Sequence, residues 1–144
     1  MVGSGHDSAL WHHCTQDNIT YLETNASFLP LIPANAVICQ FDSKVGEWRP
    51  VPEAPPAINK PWDFIVVDGP PGYNSDCAGR QFPIAWAALL ARKAVFVHDY
   101  DRPWELSLCN KYLGAPAEII PAHGRKDRLL AMFTRNGFSP ARKL

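Results

Sequence analysis

Two stretches of the sequence determine the expected fold: Trp62-Asp63-Phe64-Ile65-Val66-Val67-Asp68-Gly69 and Ala94-Val95-Phe96-Val97-His98-Asp99-Tyr100-Asp101. Each is a short run of β-branched and aromatic residues that ends on a carboxylate, a pattern typical of a fully buried strand in a parallel sheet. Ligands of open α/β sheets bind just beyond the carboxyl ends of such strands. We therefore expect Asp68 and Asp99 at the rim of one crevice, with His98 between this rim and the core.

Strand patterns and helix patterns alternate along the rest of the chain, which indicates a parallel sheet. Two closing strands joined by a short connection predict an antiparallel hairpin at the end. We expect an α/β fold with a Rossmann-like sheet and helices on both faces. Its first strand is short or missing, because only two residues precede the first glycine. The expected strands are 19–23, 36–41, 64–68, 94–98, 117–121 and 129–134, and the expected helices are 7–16, 82–92 and 103–113.

The bulk composition excludes several classes of protein. The length of 144 residues suits one domain, 1–144. Fourteen basic and fourteen acidic residues cancel, so we expect no binding of nucleic acid or of an anionic membrane surface. No transmembrane segment or signal peptide is predicted. The four cysteines show no metal-binding spacing, and free thiols are expected, with disulfides left open.

The segment Gly3-Ser4-Gly5-His6-Asp7-Ser8 resembles the glycine turn of a nucleotide site. Gly3 and Gly5 would let the backbone approach a ligand, and the helix that follows favours negative charge. Glu23 ends the next strand, where a carboxylate can bind both ribose hydroxyls. Ser8 occupies the position at which a dinucleotide-binding site has its third glycine. The pattern therefore favours S-adenosylmethionine over NAD, and a NAD-linked oxidoreductase is the weaker alternative.

The two strand ends offer catalytic chemistry. Asp68 and Asp99 could share a divalent metal such as Mg²⁺, which would acidify a substrate hydroxyl. His98 or Asp99 could instead act as the general base. The structural alternative is that Asp99 and Asp101 only cap the following helix, and that His98 is a core histidine.

The glycine- and proline-rich loop from Gly69 to Arg80 is expected to cover the same crevice. Tyr73 could stack on a sugar or adenine ring, and Arg80 could bind a substrate carboxylate through its planar guanidinium. A plain surface connection is the alternative.

Several blocks together resemble the plant polysaccharide-biosynthesis family that includes the glucuronoxylan 4-O-methyltransferases. They are the DGPPGY run that begins at Asp68, the Gly79-Arg80 pair, and the VFVHDYDR run from Val95 to Arg102 with Glu105 after it. The opening glycine turn and Tyr21-Leu22-Glu23 match the cofactor motif and second strand of that family. Ala78 and Tyr100 depart from its usual residues, so the substrate is less specified than the reaction.

This resemblance implies a class I methyltransferase fold and methyl transfer from S-adenosylmethionine to a hydroxyl of glucuronic acid on xylan. It implies His98, Asp99 and Asp68 at the reacting centre, Tyr73 and Arg80 near the substrate, and a divalent metal on Asp68 and Asp99. A carbohydrate acceptor such as glucuronoxylan is the implied partner, and the Golgi lumen is the implied compartment if a native anchor is missing. The implied cofactor ligands are Gly3, Gly5, Asp7, Ser8, Glu23 and Asp68.

A scaffold protein of the same fold, acting on polysaccharide synthesis through partners and without catalysis, is the alternative from another class. The short or missing first strand favours it, since that strand would carry the glycine turn.

Overall fold

A computed structural model describes residues 8–16, 18–32, 35–122 and 125–135. The expected mixed α/β architecture is confirmed. The strands are β1 (Tyr21–Glu23), β2 (Ala36–Ile38), β3 (Trp62–Val67), β4 (Ala91–His98), β5 (Glu118–Ala122) and β6 (Arg125–Thr134). The α-helices are α1 (Ser8–Thr15), α2 (Gln81–Leu90) and α3 (Pro103–Tyr112), and one 3-10 helix spans Ala26–Leu31.

The strands pair in two groups within the described part of the chain. β1 and β2 form a parallel pair, and the other four strands form a sheet in the order β3-β4-β6-β5. β3 and β4 are parallel, whereas β6 is antiparallel to both β4 and β5. The predicted closing hairpin is therefore confirmed. The prediction of a Rossmann-like sheet stays open, because no described strand joins the two groups.

The core lies between the four-stranded sheet and helices α2 and α3. Ile65, Val67, Val95 and Val97 alternate with more exposed neighbours and face one apolar cluster. The helices add buried small and apolar residues to it, namely Ile84, Ala85, Ala87, Ala88, Leu108, Cys109 and Tyr112. Because successive strand residues point to opposite faces, this alternation buries one face of β3.

The expectation of fully buried strands was wrong for β3. Asp63 and Phe64 are exposed, and Phe64 has Lys93 beside its ring. The expected helix to Arg92 also ends earlier, at Leu90, because Ala91 turns extended and pairs with Trp62 to open β4. Strand pairing overrides the helical spacing there.

One turn and one connector follow the predictions from residue type. Gly114 follows α3 with φ +81° and its N–H donates to the carbonyl of Cys109, so a left-handed residue closes the helix. The proline-rich segment 49–61 contains no strand or α-helix. It is held to α2 by Trp86, whose indole N–H donates to the Pro52 carbonyl at 2.7 Å.

All four cysteines are free, as the spacing predicted. No helix in the described ranges has the length and hydropathy needed to cross a membrane.

Candidate functional site

The parallel register of β3 and β4 brings the predicted carboxylates together. Val67 is paired with Val97, so Asp68 and His98 follow at the same edge of the sheet. Nδ1 of His98 lies 3.1 Å from Oδ1 of Asp68 and 3.2 Å from Oδ1 of Asp99. We call Asp68, His98 and Asp99 the strand-end cluster.

Asp99 is the buried anchor of this cluster. Its backbone is left-handed, with φ +55°, which an aspartate tolerates better than most residues. Oδ2 lies 2.9 Å from Nη2 of Arg80 and 2.9 Å from Nη2 of Arg102, while Oδ1 faces His98. Burial raises the pKa of Asp99, but His98, Arg80 and Arg102 outweigh it and hold that pKa well below its usual range. Asp99 therefore stays ionised.

His98 responds to both carboxylates. Asp68, followed by Asp99, raises the pKa of His98 to about 9 against the opposing effect of burial. At neutral pH the imidazole is protonated in this arrangement, which suits it to stabilise negative charge rather than to accept a proton.

Arg80 connects the loop to the strand ends. It directly precedes α2 and is only 3% exposed. Nε donates to the Pro70 carbonyl at 3.1 Å, Nη2 donates to the Asp68 carbonyl at 3.1 Å, and Nη1 donates to the His98 carbonyl. Together with the bond from Nη2 to Asp99, these bonds use four of its five N–H donors within the protein. The predicted contact of Arg80 with a substrate carboxylate stays a prediction. In the structure Arg80 binds the carboxylate of Asp99.

Asp68 and Tyr73 are the accessible members of the predicted site. The side chain of Asp68 is 43% exposed, and Tyr73 is 72% exposed. Asp68 can therefore meet a molecule that approaches from solvent, whereas Asp99 cannot. The stacking role predicted for Tyr73 remains a prediction.

The predicted cofactor residues are only partly described. Gly3, Gly5 and Asp7 lie outside the described residues. Ser8 is buried at the start of α1, and its carbonyl accepts a hydrogen bond from the Tyr21 hydroxyl at 2.7 Å. Glu23 is buried at the end of β1, where Oε1 accepts from the N–H groups of Thr24 and Asn25 at 2.8 and 2.9 Å.

A cleft of about 400 Å³ opens next to Cys39 and Gln40, which follow β2. Cys39, on its wall, donates its N–H to the Glu23 carbonyl at 2.8 Å. Gln40 and Asp42 line it on one side, and Phe82 and Trp86 on the other, together with proline-rich residues 52–56. The cleft thus combines aromatic and polar walls, which is the usual character of a small-molecule pocket.

Sequence reasoning missed two charged residues of the site. Arg102 lies three residues after Asp99 and contacts it, and Glu105 is fully buried on the first turn of α3. Spacing could have indicated Arg102, because a turn brings i and i+3 together. No local pattern distinguishes a buried Glu105 from an acid that only faces the helix N-terminus.

The helix-capping alternative does not hold. Arg102 is the N-cap of α3, and no side chain caps that helix by a hydrogen bond. Asp101 instead accepts the N–H of Leu129 at 2.8 Å.

Comparison with known proteins gives several similar relatives from Arabidopsis thaliana, among them the following three. Glucuronoxylan 4-O-methyltransferase 3 is 43% identical over 36% of this chain and 21% of its own length. Protein IRX15-LIKE is 43% identical over 36% of this chain and 19% of its own length. Arabinogalactan O-methyltransferase 2 is 37% identical over 36% of this chain and 20% of its own length.

The matched region is thus about a fifth of the length of these relatives. No solved structure is significantly similar to the chain. The family described as IRX15/IRX15L/GXM matches residues 50–125, more than half of the 144 residues, and this range contains the whole strand-end cluster, Arg80, Arg102 and Glu105. The chain therefore belongs to the IRX15/IRX15L/GXM family.

Proposed function

We propose that this chain forms part of an S-adenosylmethionine-dependent O-methyltransferase that acts on a sugar hydroxyl, with glucuronic acid on xylan as the acceptor. The observation that carries the proposal is the strand-end cluster: an accessible carboxylate, Asp68, lies beside a protonated imidazole, His98, which is held by a buried Asp99 with two guanidinium partners. Relatives named as methyltransferases of glucuronoxylan and arabinogalactan support this reaction and this class of acceptor.

The described residues fit the proposed cofactor. Two backbone N–H groups set the orientation of the Glu23 carboxylate, and the backbone carbonyl of Glu23 accepts the N–H of Cys39 on the wall of the cleft. In the proposal this carboxylate accepts hydrogen bonds from the ribose. Phe82 and Trp86 offer apolar surface to an adenine ring in the same cleft. S-adenosylmethionine, when bound, supplies an electrophilic methyl group on a positively charged sulfur.

In the proposed mechanism the acceptor hydroxyl lies against Asp68, the accessible carboxylate. When a methyl group from bound S-adenosylmethionine is transferred to this oxygen, Asp68 would accept the proton that the hydroxyl loses. His98, in its protonated form, stabilises the ionised Asp68 before the transfer. Arg80 and Arg102 fix Asp99, which in turn fixes His98. Orientation of the two reactants supplies much of the rate.

The cluster also fits a divalent metal ion. Asp68, His98 and Asp99 each offer one ligand atom, and these atoms lie within 4.8 Å of one another. Nδ1 of His98 faces both carboxylates, at 3.1 Å from Asp68 and 3.2 Å from Asp99, so in its unprotonated form it could act as a ligand beside them. Such a donor set of oxygens and one imidazole suits several divalent ions. A bound ion would lower the pKa of a coordinated hydroxyl.

A scaffold role is the second candidate, and one observation favours it. Protein IRX15-LIKE, as similar to this chain as the named methyltransferases, carries no enzymatic activity in its name. A scaffold could keep the charged cluster as a structural network without binding cofactor.

Isothermal titration calorimetry with S-adenosylmethionine separates these candidates. Wild type and Glu23→Ala are compared with and without Mg²⁺, and Glu118→Ala, an exposed carboxylate on β5, is the matched control. We expect binding by wild type and by Glu118→Ala, and its loss in Glu23→Ala. A folded wild type that does not bind would contradict the enzyme proposal and leave the scaffold.

The acceptor is tested by transfer of a labelled methyl group. We expect label on glucuronoxylan and none on xylan stripped of uronic acid, and we expect Asp68→Asn to bind cofactor but to transfer no label. Label on arabinogalactan alone would keep the reaction and change the acceptor. Label on stripped xylan would refute the glucuronic acid assignment.

A further inference from the structure

Among the described residues, Glu105 is the buried carboxyl group that the proposed mechanism does not use. It lies on the first turn of α3 and has no exposed surface. Neither carboxyl oxygen accepts a hydrogen bond from another described residue. A buried polar group without a partner is costly, and an apolar side chain would pack in this place without that cost. A carboxyl group at this position is therefore expected to have a structural or functional role.

The turn that follows Asp68 lies against this carboxyl group. A Cβ atom added to Gly72 would collide with Oε1 of Glu105 and lie 3.8 Å from Nη1 of Arg102. The backbone of Gly72 therefore rests directly on two side chains at the start of α3. Because the carboxyl group is fully enclosed, a side chain at position 72 would force the turn or Glu105 to shift.

The same turn holds Arg80. The Pro70 carbonyl accepts Nε of Arg80 at 3.1 Å, and the Pro71 carbonyl accepts the N–H of Gly79 at 3.0 Å. Arg80 then reaches Oδ2 of Asp99 at 2.9 Å. A shift of the turn would be transmitted to Arg80 through these two bonds.

We propose that Glu105 is a positioning residue for the strand-end cluster. Its buried carboxyl group sets the place of the Gly69–Gly72 turn, and the turn sets the place from which Arg80 holds Asp99. The effect of Glu105 on the reaction rests on the proposed function. The structural coupling between Glu105, the turn and Arg80 does not depend on it. Burial also raises the pKa of Glu105 against the opposing effect of the nearby Arg80 and Arg102.

A double-mutant cycle tests the coupling. The variants are Gly72→Ala, Glu105→Ala and their combination, with Glu105→Gln as the variant that keeps the shape and lacks the charge. The main readout is the Arg80 Nε–H signal in ¹⁵N spectra and its protection from hydrogen exchange, because that proton is bound by the Pro70 carbonyl. The second readout is kcat and KM for methyl transfer.

We expect each single alanine variant to lower the protection of the Arg80 Nε–H and kcat, with KM little changed. Residues in direct contact couple, so the combination should lose about tenfold less than the two single effects predict. Glu105→Gln should resemble wild type in both readouts. Additive effects in the cycle, or full protection in Glu105→Ala, would overturn the proposal.

The test of Glu105 still gives an answer if a variant does not fold or if no methyl transfer is seen. If Gly72→Ala does not fold, the comparison of Glu105→Ala with Glu105→Gln still decides, since only the first is expected to free Arg80. If neither wild type nor any variant transfers methyl groups, the proposed function fails, but the Arg80 signal still reports whether Glu105 positions the cluster.

Discussion

Nη2 of Arg80 lies 2.9 Å from Oδ2 of Asp99, and both side chains are almost fully buried. A buried ion pair is weak evidence for stability, because desolvation offsets much of the attraction. Here the guanidinium also donates to three backbone carbonyls, of Asp68, Pro70 and His98. The pair therefore joins the ends of two strands to the loop above them. Its main role is to hold these segments in place, not to add to the free energy of unfolding.

Removing this guanidinium should destabilise the fold strongly. Arg80→Met leaves Asp99 buried with one cation fewer, and breaking a buried pair from one side costs about 3–5 kcal/mol. Urea unfolding measures the loss. Arg49→Met is the control, since Arg49 makes only exposed ion pairs with Asp42 and Glu47, which contribute at most about 1 kcal/mol. A smaller loss in Arg80→Met than in Arg49→Met would contradict the structure.

Stability should fall between neutral and alkaline pH because of His98. The folded-state pKa of about 9 lies above the ordinary value of 6.5, so the folded protein binds this proton more tightly. The stabilisation is fully present below pH 6.5 and is lost as the pH rises through about 9. Unfolding midpoints in urea, measured from about pH 6 to about pH 10 with EDTA present to exclude metal, follow this loss.

His98→Gln is the control for this pH dependence. It lacks the titrating group but keeps the other groups that ionise at alkaline pH. The difference in unfolding free energy between wild type and His98→Gln should shrink as the pH rises. Parallel profiles for the two proteins would show that Asp68 and Asp99 do not raise the pKa of His98.

Two glycines with left-handed backbones allow a matched test of the loop. Gly79 has φ +69°, and an added Cβ would lie 3.2 Å from Nε1 of Trp104 and 3.2 Å from Cγ2 of Val45. Gly46 has φ +82° and nothing within 4 Å. Gly46→Ala should cost about 1 kcal/mol from backbone strain. Gly79→Ala should cost about 1–3 kcal/mol more from crowding.

Thermal and urea unfolding of the two variants measure this difference. Equal losses would mean that Trp104 and Val45 yield without cost, and that the loop before Arg80 is less tightly packed than its contacts indicate.

The proline-rich segment should depend on one hydrogen bond to α2. Trp86→Phe removes the indole N–H that binds the Pro52 carbonyl at 2.7 Å and leaves part of a buried ring site empty. We expect a loss of about 1–3 kcal/mol in the free energy of unfolding. Trp48→Phe is the control, because Trp48 is exposed and contacts Lys111 over its ring. It should lose well under half as much.

Much of the candidate site follows from local sequence. Runs such as Ile65-Val66-Val67 and Val95-Phe96-Val97 form strands because β-branched and aromatic residues suit a pleated, buried surface. The carboxylates that end them then meet at one sheet edge, since parallel strands share a direction. The meeting of Asp68, His98 and Asp99 is therefore predictable from the residues alone.

Other features depend on contacts between distant segments. The exposure of Phe64 follows from which face of β3 the helices cover, and the end of α2 follows from the pairing of Ala91 with Trp62. The residue pattern of β3 or of α2 taken alone predicts neither the exposure of Phe64 nor the end of α2.

The sequence by itself determined the strand ends, the closing hairpin and the residue types of the cluster, because these depend on near neighbours along the chain. The tertiary structure alone decided that Arg80 and Glu105 are buried, that Asp68 is accessible, and that His98 holds its proton to about pH 9. The burial and the protonation state of a side chain depend on the groups that surround it in space. Those groups come from segments that are far apart in the sequence.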